Sequence, residues 1–347
     1  MSEFKAPVLV TGGSGYLASW IIAQLLEAGA TVHTTVRNPA QTDKYQHLLD
    51  LAGQHPGTLK VFAADLLSPG SFAEAMQGCE TVMHTASPFV TSGIGDPQKE
   101  LVEPALLGTR SVLETVNQQE QVQRVVLTSS VVSIYGDATD LRQTAFGRFT
   151  EEDWNQTSSL KHQPYSLSKT LAEKEAWKMH KAQNRWQLSV INPGFILGPS
   201  LTNRKDSTSI DFMLKMANGT YLTGVPHLVF GLVDVRDVAR AHLQAALLGS
   251  NGRHILVNES LDLWQIAQIL KQKFGRKYPF PLMPAPKWLV KLIGPAQGLT
   301  REFVNKNVGF PLPFDNRRSK KDLQIVYRPT AETLVDQLEQ LVRDGLL

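Results

Sequence analysis

Tyr165 and Lys169 stand four residues apart in "PYSLSKTLAEKEAW". The stretch predicts a helix, so both side chains share one of its faces. A free phenol has a pKa near ~10 and is a weak acid–base catalyst at neutral pH. An ammonium one turn away favours the phenolate and lowers that value. Ser130 in "VVLTSS" ends a predicted strand. Its hydroxyl can hydrogen-bond a substrate oxygen and stabilise an alkoxide developing there. Ser129 competes for that role, and a turn or cap is the plain alternative for either serine. Together the three residues suit reduction of a carbonyl, with hydride reaching carbon and Tyr165 protonating oxygen.

These side chains need strands and helices to hold them. "APVLVTG", "ATVHTTVR", "LKVFAAD", "ETVMHTA", "QRVVLTSS" and "QLSVINP" are short apolar runs that predict strands. Between them, helical spacing appears at Leu17, Ile21, Ile22, Leu25 and Leu26, around Tyr45 to Leu51, around Phe72 to Met76, from Pro97 to Asn117, and from Tyr165 to Ala182. Regular alternation predicts an α/β fold of Rossmann type, a doubly wound parallel sheet with helices on both faces. After Pro199 the pattern loosens, with eight prolines between Pro279 and Pro329 and a final amphipathic helix carrying Leu334, Leu338 and Leu341. We expect residues 1–199, with contributions from about 226–260, to bind the cofactor. Residues 200–347 then form mainly a smaller, irregular substrate lobe on the carboxyl edge of the sheet.

The stretch "TGGSGYLASW" follows a predicted strand and opens a predicted helix. That context makes Gly12, Gly13 and Gly15 a phosphate-binding turn, with Thr11, Ser14, Tyr16 and Leu17 beside it and Ala18 at the last small position. The second strand ends in Arg37 rather than the acid expected of an NAD site, with Lys44 a further cation. A guanidinium there suits the 2′-phosphate of NADP(H). Asp65 and Leu66 end the third strand as candidate adenine contacts, although Asp65 would serve equally as a helix cap. Thr85, Ala86 and Ser87 are small enough for a cofactor to lie on their backbone. His84 reads as a core histidine, and Lys169 could also hold the nicotinamide ribose.

Composition narrows the classes. At 347 residues and a net charge of +3, the chain is an ordinary globular protein with no charge signal for nucleic acid or membrane. No apolar run approaches the ~18 residues of a membrane span. Cys79 is the only cysteine and no secretory leader is visible, so a cytoplasmic protein without disulfides is expected. The basic run Arg317, Arg318, Lys320 and Lys321 reads as a solvated helix start. No metal-ligand spacing and no G-x-S-x-G elbow appears, so neither a metal centre nor a serine hydrolase is expected.

With these residues in hand, the chain resembles the extended short-chain dehydrogenase/reductase family. Within it, the chain is similar to the branch of dihydroflavonol 4-reductases, cinnamoyl-CoA reductases and microbial aldehyde, ketone and methylglyoxal reductases. The motifs are "VTGGSGYLASW", "VMHTASP", "DPQKELVEPALLGT", "RVVLTSS", "YSLSKTLAEKEAW", "NPGFILGP" and "FGLVDVRDVARAH", and the likeness runs to about Asn258. It implies Ser130, Tyr165 and Lys169 as catalytic residues, with Arg37 and Lys44 on the NADP phosphate. It further implies Pro193, Gly194 and Phe195 along the nicotinamide and Ser207 toward the phosphates, with Asp234 to Val238 at the junction of the lobes.

Dihydroflavonol reductases resemble "TSSAGTVN" after the fifth strand, where this chain has "TSSVVSIYG". Tyr135 replaces their Asn, which points away from flavonoids and toward a simpler aldehyde or ketone. Pro88, Phe89 and Tyr135 are candidate substrate contacts. The expected protein is an NADPH-dependent carbonyl reductase, monomeric or homodimeric, acting on a small-molecule carbonyl. The alternatives are a nucleotide-sugar epimerase or dehydratase that retains NAD, and a non-catalytic NADP-binding redox sensor.

Overall fold

A strand covered on both faces alternates its side chains between two cores. In a computed structural model, which describes residues 4–87, 95–203 and 207–347, the first strand does this within four residues. Val8 and Val10 join one apolar cluster and Leu9 the other, all three fully buried. Strands β1 (Val8–Thr11), β2 (Thr31–Val36), β3 (Thr58–Ala63), β4 (Thr81–His84), β5 (Arg124–Thr128) and β6 (Gln187–Pro193) follow one another. Helices α1 (Tyr16–Glu27), α2 (Gln46–Gln54), α3 (Ala73–Met76), α4 (Glu103–Gln118) and α5 (Pro164–Lys181) intervene. The segment predicted as one helix from Pro97 begins instead with a π-helical turn, Gln98–Val102, before α4.

The remaining strands are β7 (Phe195–Leu197), β8 (Val225–Pro226), β9 (Val229–Asp234), β10 (Gly252–Leu256), β11 (Glu259–Asp262) and β12 (Pro284–Ala285). With them come α6 (Thr208–Ala217), α7 (Val235–Leu247), α8 (Leu263–Phe274), α9 (Lys287–Ile293), α10 (Arg301–Asn307), α11 (Arg317–Asp322) and α12 (Thr330–Arg343). The main sheet runs β10-β6-β5-β4-β1-β2-β3, parallel throughout. Chain order reverses between β1 and β4, and such a switch point opens a crevice at the carboxyl ends of the strands. Two smaller sheets, β11-β9-β7 and β12-β8, lie outside it.

One face of the main sheet is covered by α1 and α7 through Ile21, Leu25, Val238 and Ala241. The other is covered by α4 and α5 through Val112, Val116 and Ala176, with Trp186 wholly enclosed. A third core gathers Met213, Ile266, Leu270, Leu334, Leu338 and Leu341 from α6, α8 and α12. The last three leucines are the periodic ones, spaced to face one side of a helix. The basic run forms α11, with Ser319 buried and Arg317 paired to Asp315. Among the described residues no helix is long and apolar enough to cross a membrane.

Candidate active site

The glycine turn joins β1 to α1 at the switch point. Gly12 has φ +72, and a Cβ there would lie 3.0 Å from that of Ala86. At Gly13 a Cβ would fall 2.1 Å from Thr34 Oγ1 on β2. A side chain at either position would collide with Ala86 after β4 or with Thr34 on β2. Gly15 is the exposed member and the N-cap of α1. It lends no side-chain cap, and the first turn carries no acid. A helix start left in this way suits an anion.

Ser14 of the turn shares a cleft of about 360 Å³ with Val36, Arg37, Asn38, Gln41, Lys44 and Tyr45. The fold thus brings the predicted cations, both exposed, to the glycine turn. Tyr45 is buried and donates to Pro39 O at 2.6 Å, closing the loop that carries them.

Thr11 ties two strand ends together. It is fully buried, and its Oγ1 accepts from Thr85 N (3.1 Å) and Ala86 N (3.0 Å) while meeting His84 Nδ1 at 2.9 Å. It straps the ends of β1 and β4 together. His84 is a core residue, its imidazole pushed down to about 3 by burial and by the charge of Lys169. Tyr16 donates to Gly198 O at 2.6 Å, and Leu17 packs in the core. Asp65 accepts from Leu67 N at 2.8 Å, a turn contact, while Leu66 packs over Gly108.

Helix α5 presents Tyr165 and Lys169 toward the ends of β4 and β5. Lys169 Nζ donates to Ser87 Oγ at 3.0 Å and lies 5.8 Å from the centre of the Tyr165 ring. Both side chains are only half-exposed. Their surroundings are dense enough that burial pushes the phenol up to about 12 and the ammonium down to about 8. Burial therefore opposes the phenolate that the lysine was expected to favour, and keeps the Tyr165 phenol protonated at neutral pH. Ser130 is extended at φ −163, and its Oγ accepts from Val132 N at 3.3 Å.

Packing distinguishes the two serines. Ser129 is buried and donates to Glu173 Oε2 at 2.5 Å. The same oxygen accepts from Ser133 Oγ (2.5 Å) and Asn192 Nδ2 (2.8 Å), while Glu173 Oε1 takes Arg253 Nε at 2.6 Å. The Arg253 guanidinium stacks 3.9 Å from the centre of the Trp154 ring. This ion pair, with Glu173 fully buried, joins α5, the turn after β5, β6 and β10. Sequence reasoning missed it. The available signal was Glu173 itself, an acid one further turn along the face of Tyr165 and Lys169.

Tyr135 packs on Phe149 and Phe314, with ring centres at 5.0 and 5.6 Å. Burial raises its phenol pKa, as do the nearby charges of Asp137 and Asp140. Gly194 lies against β9, where a Cβ would meet Gly231 O at 2.2 Å. Pro193 before it is buried, and Phe195 after it stacks on Phe212 and Phe230. Ser207 is the N-cap of α6, its carbonyl accepting from Asp211 N at 2.9 Å. Pro88 and Phe89 lie outside the described residues.

The model of the NAD dependent epimerase/dehydratase family matches residues 8–257. A cinnamoyl-CoA reductase of Medicago truncatula is 40% identical over 271 residues, spanning 77% of this chain and 80% of the relative. A dihydroflavonol 4-reductase of Gerbera hybrida is 31% identical over 278 residues, 80% of this chain and 75% of the relative. Among solved structures, the yeast methylglyoxal/isovaleraldehyde reductase Gre2 complexed with NADPH superposes with a TM-score of 0.77 at 26% identity, covering 98% of this chain and all of that one. Vestitone reductase from alfalfa gives 0.75 at 27% identity, over 99% and 100%. With the matched segment running from β1 through β10, the chain belongs to the NAD dependent epimerase/dehydratase family.

Proposed function

We propose that the protein is an NADPH-dependent reductase that converts an aldehyde or ketone to its alcohol. The observation that carries this reading is the placement of Tyr165 and Lys169 by α5, with Lys169 bonded to Ser87 at the sheet edge that also holds the glycine turn. The relatives named as reductases, and the reductase solved with NADPH, support it.

NADPH, when bound, supplies the hydride for the carbonyl carbon. The residues present fit that cofactor. Arg37 and Lys44 line the cleft beside Ser14 and would hold the 2′-phosphate, while the uncapped start of α1 would take the pyrophosphate. Tyr165 holds its proton at neutral pH and gives it to the carbonyl oxygen. Ser130 accepts from a backbone N–H, which leaves its own O–H to donate to the same oxygen. Lys169 braces the tyrosine face and Ser87 together.

In this reading residues 1–199, with β9, α7 and β10, form the cofactor-binding part, and the rest selects the substrate. The protein then works in the cytoplasm on a small molecule, as a monomer or homodimer. Following the near-ultraviolet absorbance of NADPH or NADH against aromatic aldehydes, aliphatic aldehydes, diketones and a dihydroflavonol tests it. Faster loss of NADPH than of NADH with one of them is expected. No oxidation across the panel, with NAD found tightly bound, would overturn it.

A further inference from the structure

Two residues before Tyr165 the backbone turns the wrong way for an ordinary side chain. Gln163 has φ 55 and ψ 57, and only Gln324 shares a positive φ among the described non-glycine residues. That conformation costs a residue with a Cβ free energy that glycine avoids. Gln163 is the N-cap of α5, yet its side chain gives the helix no capping bond. It reaches instead to the loop after β5, where its amide donates to Gly136 O and, at 2.8 Å, to Asp137 Oδ1.

Asp137 is wholly buried and heavily subscribed. His162 Nε2 lies 2.9 Å from both its oxygens, Asn307 Nδ2 donates at 2.7 Å, and Lys306 Nζ stands at 3.4 Å. Asn307 Oδ1 in turn accepts from Ala138 N at 2.9 Å, and Glu302 lies 3.8 Å from His162 Nδ1. A buried carboxylate with this many donors is a rigid point. Through it α10, which lies outside the family match, is tied to the turn that sets where Tyr165 begins its helix. Pro164, with its φ restrained, is the single residue between.

We propose that Gln163 is a positioning residue for Tyr165, held in its left-handed turn by Asp137 and, behind it, by Asn307 of α10. This rests on Tyr165 being the proton donor. Gln163→Gly adopts the same backbone without strain, and Gln163→Asn tolerates it but is one methylene too short to reach. In both variants kcat for carbonyl reduction should fall about ten- to hundredfold, the scale of a small misplacement. The KM for NADPH should stay within about twofold, and any drop in Tm should be small because Asp137 keeps His162 and Asn307. The alkaline limb of the kcat–pH profile should also move, since Tyr165 no longer sits squarely beside Lys169.

Wild-type kcat and pH limb in both variants would overturn the proposal. So would a fall in kcat accompanied by a markedly lower Tm and a raised KM for NADPH, which is general loosening. Tyr165→Phe, measured alongside, separates two failures. If it is inactive, wild-type behaviour of Gln163→Gly sinks the positioning role alone. If it is active, the proton-donor reading falls and the positioning role with it.

Discussion

Around β1 and β4, the groups that face the cleft are held by backbone ladders and one buried threonine. Around α10 and α12, the corresponding work is done by buried charged side chains. Thr11 fixes Thr85 and Ala86 through their amide N–H groups, and parallel pairing carries that order across the sheet. In the C-terminal part, Arg236 at the start of α7 bonds Asp234 at 2.7–2.9 Å and reaches Asp336 on α12 at 2.8 Å. Thr333 of α12 donates to the same Asp234 at 2.8 Å. A regular sheet tolerates small errors because every rung repeats the constraint. An irregular lobe has few rungs, so individual polar contacts must orient it, and removing one leaves a buried charge exposed to a low dielectric.

The contrast is sharpest at the proposed reacting groups, which the sheet half supplies. Tyr165→Phe should cut kcat by about 10²–10⁴-fold, the usual share of a positioned proton donor, with circular dichroism unchanged. Steady-state oxidation of NADPH checks it. Next, Arg236→Met should destabilise the protein by about 3–5 kcal/mol in urea unfolding, because Asp234 has no exposed side-chain surface. A cost near zero would show that the C-terminal elements are held by packing alone.

Acid should loosen the sheet half through two buried histidines, His84 of β4 and His242 of α7, the latter 2.7 Å from Thr128 Oγ1 on β5. Burial lowers the pKa of His84 to about 3 and that of His242 to about 4. The unfolded chain, with an ordinary histidine pKa near ~6.5, binds more protons below that value, so stability present above it is lost as pH falls toward 4. The expected slope is about 1.4 kcal/mol per pH unit for each histidine. Urea melts at pH 7 and pH 5.5 measure it, and an unchanged midpoint would show these imidazoles to be protonated in the folded state.

Smaller effects belong to the cleft and the sheet interior. Arg37→Ala should raise the KM for NADPH about tenfold, as for one lost charge-assisted bond, and leave that for NADH unchanged. Equal changes for both cofactors would detach Arg37 from the 2′-phosphate. Ile191→Val, in a fully buried strand position, should cost only about 0.5–1.5 kcal/mol. A larger loss than that of Arg236→Met would reverse the contrast between the two regions.

Much of the sheet half was legible from periodicity, since strands covered on both faces are short apolar runs and their helices show one apolar stripe. Tyr165 with Lys169, and Arg37 with Lys44, were legible because helical spacing and strand ends are local properties. Thr11 and Gly13 also make contacts that local spacing does not show. Local spacing places them beside a cleft, but only the neighbouring strand decides that Gly13 must clear Thr34 and that Thr11 must serve Thr85. Ser129 and Ser130 are identical by composition. Which of them meets Glu173, on a helix some forty residues later, is a question of packing.

The sequence by itself determined the succession of the first six strands and their helices, and the residue types at the strand ends. These follow from backbone stereochemistry and the burial of apolar stripes, which act over a few neighbours. Only the tertiary structure decided how far each polar group is removed from water and which distant partner satisfies it. That is why Glu173 and Arg253, Asp137 and Asn307, and the left-handed turn at Gln163 came into view with the fold. Each is the low-dielectric solution to burying a charge or a strained turn, and its parts lie far apart in the chain.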